Sequence, residues 1–151
     1  PVRRAYSHYW HQRDAGREDL PFEDAIAAEA DRLGDAEAKL ARGEIERSAA
    51  HQHFSYLARG RYADQLRRWL QYYPREQLLV LRFEDLVAEP MAVLGRALGY
   101  LGLPPIEHVR LEARNTRKYP PIGAATAERL RGHFAPLNAE LESLLGQTMG
   151  W

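Results

Sequence analysis

Leu78-Leu79-Val80-Leu81-Arg82-Phe83 is the stretch whose reading decides the fold. It is short, continuously apolar and preceded by a polar turn, which predicts a core strand at about 77–83, buried on both faces of a parallel sheet. No other stretch reads as a convincing strand. A buried parallel strand needs neighbours. The rest of the sheet is therefore expected upstream of Pro1 or in a second copy of the chain, which makes a homo-oligomer one of the two expectations.

Outward from that stretch the chain reads as helix. Tyr62, Leu66, Trp69, Leu70 and Tyr73 recur at helical spacing after Gly60, and Pro74 closes the run. That spacing predicts core packing for Trp69, and Gly60-Arg61-Tyr62 is expected to line a cleft. On the other side, Glu84-Asp85 forms a helix-entry corner, expected to cap amides or hold a nearby arginine. Pro90 then restarts a helix whose buried stripe is Val93, Leu94, Ala97, Leu98 and Leu101. At the ends of the chain, Pro1 suits a first helical turn, followed by Tyr6, Tyr9, Trp10 and Arg13. Phe22, Ile26 and Ala30 begin a second helix after the Leu20-Pro21 break. Leu130, Phe134, Leu137, Leu141 and Leu144 mark the last. Residues 34–50, rich in Ala and Glu, predict an exposed helix or a mobile insertion.

Composition bounds the function. The 151 residues are 45% hydrophobic and 28% charged, an ordinary globular balance for about one domain. With 21 basic and 21 acidic residues the formal net charge is zero, which argues against a nucleic-acid coater. Cysteine is absent, which excludes disulfides, thiolate metal sites and cysteine nucleophiles. No apolar run approaches the roughly 18–20 residues of a membrane span. No secretory h-region follows the first arginines, so a cytoplasmic location is expected. The zero is also a sum of unlike parts. Residues 1–13 and 110–133 are basic, whereas 14–46 hold eleven acids against four bases. Two basic ends can meet on one anion, or stand as solvated helix faces.

Three stretches then resemble one family. Pro1-Val2-Arg3-Arg4-Ala5-Tyr6-Ser7-His8-Tyr9 is similar to the 3′-phosphate-binding motif of sulfotransferases that use 3′-phosphoadenosine-5′-phosphosulfate (PAPS). Tyr62 to Leu70, with Pro74 to Leu86, resembles their helix, strand and Glu-Asp-Leu corner. Arg117-Lys118-Tyr119-Pro120-Pro121 looks like the cofactor-covering loop of the heparan sulfate N-sulfotransferase branch. Order and spacing agree from residue 1 to about 145. The resemblance implies an α/β, P-loop-like sulfotransferase fold with a parallel sheet, of which this chain is the mostly helical C-terminal part.

The residue types suit that chemistry. A 3′-phosphate dianion is held by hydroxyl donors, guanidinium forks and helix amides. By resemblance Ser7 supplies the hydroxyl and Arg117 a guanidinium, with Arg4, Lys118 and Tyr119 as further donor-binding residues. His11, one turn after Ser7, matches a histidine placed near the transferring sulfuryl group, and is the catalytic candidate; its alternative is a structural histidine beside Trp10. The branch's Lys-Gly pair before Arg-Lys-Tyr-Pro is replaced by Asn115 and Thr116, which removes a cation. The loop that cradles the 5′-phosphosulfate, with its lysine, is expected upstream. His51 and His53, two apart on a helix, point to different faces and make a poor metal pair; no metal is implied. The expected activity is sulfuryl transfer from PAPS to a hydroxyl or amine of a carbohydrate, lipid or natural product, releasing PAP. A P-loop-related kinase-like enzyme and a non-catalytic helical interaction module remain the alternatives.

Overall fold

The sequence's spacing of apolar side chains is realised as helices in a computed structural model that describes residues 1–106, 109 and 118–151. The chain divides into two units, Pro1–Gln65 with Tyr119–Trp151, and Leu66–Lys118.

The first unit is built on α1 (Val2–Asp14), which buries Ala5, His8, Tyr9 and Gln12 along one face. The second predicted helix is two short ones, α2 (Phe22–Ala27) and α3 (Glu29–Leu33), meeting at Ala28. Helix α4 (Ala36–Arg42) buries nothing, as its shortage of large apolar residues foretold. Helix α5 (Ala49–Phe54) starts at Ser48, whose hydroxyl accepts from the His51 amide at 3.2 Å. A 3₁₀ turn at Ala58–Gly60 leads into α6 (Tyr62–Leu70), within which the division between units falls. The long C-terminal helix, which we number α9 (Ala124–Leu145), turns Ala127, Leu130, Phe134 and Leu141 inward. Its register tolerates Pro136, which has no amide to give the Gly132 carbonyl.

Ala5, Tyr9, Phe22, Ala25, Ile26, Tyr56, Leu130 and Phe134 form one core. Aromatic rings supply much of its buried area, with Tyr9 and Phe22 5.2 Å apart and Tyr9 and Tyr56 6.1 Å apart. Inside it lies a polar knot. Glu18, almost wholly buried, accepts from Tyr56 at 2.6 Å, from the Leu20 amide at 3.0 Å and from Arg32 at 2.5 and 3.2 Å. Burial pushes the Glu18 carboxyl up, but the hydrogen bonds from Arg32, Tyr56 and Leu20 outweigh it and hold it below its ordinary value.

The second unit holds a 3₁₀ turn (Arg75–Gln77), α7 (Phe83–Ala88) and α8 (Pro90–Tyr100). The strand expected at about 77–83 is not formed among the described residues. Leu78 (φ −120°, ψ 108°) and Arg82 (φ −80°, ψ 135°) are extended, but the segment between them forms no ladder among the described residues. Gln77 belongs to the turn before it and Phe83 already to α7. A strand exists only with a partner to take its amides and carbonyls, and no described residue supplies one. Trp69 likewise departs from the core packing its spacing predicted: it is 56% exposed, against Tyr73 at 5.6 Å. Of the described apolar side chains in this unit, Val93 is the fully buried one. Leu81, Phe83, Leu86, Val93 and Leu94 line an apolar groove of about 390 Å³. The Glu84-Asp85 corner does hold arginines, Asp85 standing 3.4 Å from Arg96 and 3.8 Å from Arg82.

Candidate functional site

Helix α1 gathers most of the residues singled out by sequence. At 3.6 residues per turn, Arg4, Ser7 and His11 share one stripe of the helix. Arg4 and His11 are exposed and Ser7 is half-buried at the margin of the packed face. The sequence folds this way because the opposite face carries Ala5 and Tyr9, which are committed to the core. The stripe is therefore what remains for solvent or a ligand.

Tyr119 is brought to the same helix from far along the chain. Its ring stacks on Trp10 at 6.2 Å and 7° and meets Tyr6 edge-on at 5.5 Å and 85°. On the helical wheel Ser7 falls between this aromatic side and the Arg4–His11 edge. Trp10 also carries a buried indole N–H with no acceptor among the described residues. Lys118 is exposed and belongs to the other unit. Arg117, with Asn115 and Thr116, lies outside the described residues.

Two side chains that sequence reading passed over stand close to these. His8 is buried, 7% exposed, with its ring 5.6 Å from that of Tyr56. Burial, then the charges of Arg59 and Arg4, lower it to about 4, so it is a neutral imidazole at neutral pH. Its Nε2 has no hydrogen-bond partner among the described residues. Arg59 sits half-buried in the 3₁₀ turn, where burial and then Arg4 hold its guanidinium below the ordinary arginine value. For His8 the sequence offered only its place inside the α1 motif, since its burial depends on Tyr56. For Arg59 there was no sequence signal, because only the chain's return to α1 brings it near.

The residues expected to line a cleft have other duties. Gly60 is buried, Arg61 is paired with Asp64 at 2.6 Å and Glu37 at 3.5 Å, and the Tyr62 ring lies 5.5 Å from that of Trp151. His53 contacts Gln12 at 3.1 Å, and no group of three or more His, Cys, Asp or Glu stands ready for a metal among the described residues. No described helix is long and apolar enough to cross a membrane.

Chemically, the α1 stripe offers a guanidinium, a hydroxyl and an exposed imidazole beside a stacked aromatic platform. That combination suits an anionic, ring-bearing ligand. Known proteins agree in kind. Residues 1–120 match the family model described as the sulfotransferase domain. A membrane-associated sulfotransferase of Dictyostelium discoideum is 29% identical over 72% of this chain and 23% of its own length. The bifunctional heparan sulfate N-deacetylase/N-sulfotransferase of Drosophila melanogaster is 28% identical over 96% of this chain and 15% of its own. The crystal structure of a sulfotransferase from Alicyclobacillus acidocaldarius superposes with a TM-score of 0.73 at 29% identity, over 99% of this chain and 52% of that one. The chain thus spans about half the solved structure and under a quarter of these two relatives.

Proposed function

Since the chain belongs to the sulfotransferase domain family, we propose that it works within a PAPS-dependent sulfotransferase, moving a sulfuryl group to a hydroxyl or amine and releasing PAP. The observation that carries the reading is the α1 stripe of Arg4, Ser7 and His11 with Tyr119 docked alongside, inside the segment the family model matches. The donor supplies the activated sulfuryl group. This chain's residues bind and orient it. Ser7 donates a hydroxyl to the 3′-phosphate, Arg117 is proposed for the same phosphate on the family resemblance, and Arg4 and Lys118 are proposed as further donor-binding residues. The Tyr119 ring offers a stacking surface for the adenine.

His11 is exposed on the same stripe, where an imidazole serves proton transfer or charge stabilisation near neutral pH. In the transfer itself the S–O bond to the leaving phosphate breaks as the acceptor's O–S or N–S bond forms, and the acceptor proton passes to a base. Stabilising the developing charge is the larger share of such a step. The acceptor is proposed to be a carbohydrate, lipid or natural product, and a relative named for heparan sulfate supports the first. The parallel sheet is proposed as well: Leu78–Arg82 is its extended strand, paired in the whole protein with strands of the other half of the fold. The 52% coverage of the solved sulfotransferase supports this.

The test is ligand-induced stabilisation of the full-length protein. PAP should raise its Tm, because a ligand at 100 times its Kd adds about 2.7 kcal/mol. Ser7→Ala and Arg117→Ala should remove most of that rise. Stabilisation by ATP without any by PAP would overturn the reading in favour of a kinase-like enzyme.

A further inference from the structure

We propose that Arg59 is a second anion-binding guanidinium of this site, sharing with Arg4 one phosphate or sulfate oxyanion, either the donor's 3′-phosphate or a sulfate carried by the acceptor. The proposal rests on the donor-binding reading of α1 and adds to it a residue from a different part of the chain.

The turn that carries Arg59 is fixed on both sides. Before it, the buried Glu29 carboxylate accepts from the amides of Leu57 and Ala58 at 2.7 and 2.8 Å. After it, Gly60 is seated so tightly that a Cβ there would lie 2.8 Å from Phe134 Cζ and 3.1 Å from Pro1 Cβ. Arg59 is thus held against the start of α1. Its side chain is oriented by two hydrogen bonds, Nε to Ser55 Oγ at 3.0 Å and an Nη to the Gln52 carbonyl at 2.7 Å. A guanidinium has five N–H donors. Two are used, and three remain.

The surroundings make this geometry point to a ligand. Neither Arg4 nor Arg59 is paired with a carboxylate among the described residues, and each lies within the other's electrostatic reach. The neighbouring Arg61 shows the ordinary solution, with two acids beside it. Uncompensated like charges disfavour the folded state, and an oxyanion relieves them. Independently, the buried His8 lies close enough to feel both arginines and leaves Nε2 unpartnered. Its imidazole is neutral at neutral pH, so it adds no third positive charge beside the two arginines.

The experiment is calorimetric titration of full-length wild type, Arg59→Met and Arg59→Lys with PAP, with AMP, and with glucosamine 6-sulfate in the presence of PAP. Circular dichroism checks that each variant is folded. An Arg59→Met Kd raised about tenfold or more for PAP but unchanged for AMP assigns Arg59 to the 3′-phosphate. An unchanged PAP affinity with the sulfated sugar weakened assigns it to the acceptor's sulfate. In either case Arg59→Lys, which keeps charge without the fork, should recover part of the loss. A folded Arg59→Met variant that binds all three probes as wild type overturns the proposal and leaves the donor reading intact. If wild type ignores PAP, the donor reading fails instead. Inorganic sulfate, stabilising wild type but not Arg59→Met, then decides Arg59 alone.

Discussion

His8 shows how burial can reverse a residue's ordinary chemistry. An exposed histidine changes charge near 6.5, whereas here burial and the two arginines take it to about 4. Because the folded value lies below the unfolded one, the unfolded chain takes the proton first. The stabilisation is complete above 6.5 and is lost as pH falls from there through 4, amounting to about 3 kcal/mol at most. Urea denaturation between pH 7 and 4 should show that loss in wild type and a flatter profile in His8→Gln. A wild-type curve flat over the interval would contradict it. Sequence could name Arg4, Ser7 and His11 because they stand in a stretch that resembles a family motif, and helical spacing then put them on one face. It could not value His8, since burial depends on Tyr56 and Arg59, some fifty residues away.

At the level of elements, these residues are enough to form the helices and not enough to form the strand, for one reason. A helix satisfies its own amides, so α1, α8 and α9 are legible from spacing alone. A strand satisfies none of its own, and Leu78–Arg82 stays extended but unpaired among the described residues. The predicted single helix after Pro21 breaks at Ala28, and Glu29 just past the break accepts from the amides of Leu57 and Ala58, a long-range contact no local pattern encodes. Gly60 is the other fixed point of that turn. Gly60→Ala should cost about 1–3 kcal/mol, read as a lower urea midpoint with an unchanged m-value. The Phe134 ring it meets is fully buried and has nowhere to retreat. A midpoint equal to wild type would show that Phe134 yields after all.

Over the whole molecule, apolar burial is uneven. The unit of Pro1–Gln65 and Tyr119–Trp151 contains the aromatic core, while Leu66–Lys118 leaves Phe83, Val87, Leu101 and other large side chains exposed. Stability follows buried apolar area. Hydrogen exchange on these 151 residues should therefore protect α1, α2 and the middle of α9 well above α7 and α8. Equal protection would mean that the second unit is held by contacts beyond its own. The balanced net charge also reads differently at this scale, because many of the acids of residues 14–46 have structural partners. Glu18 is bonded to Arg32 and Tyr56, and Glu29 to backbone amides. The basic stripe on α1 is left to other uses.

Helix α4 has a practical corollary. It buries no residue and is bounded by Gly34 (φ 50°) and Gly43 (φ 71°), two backbone turns that side chains resist. It packs lightly against α5, and its ion pair from Glu37 to Arg61 at 3.5 Å is a surface pair of small weight. Residues 35–42 are thus a natural grafting site. An affinity tag, a fluorophore or a purification loop placed between those two glycines leaves the aromatic core and the α1 face as they are.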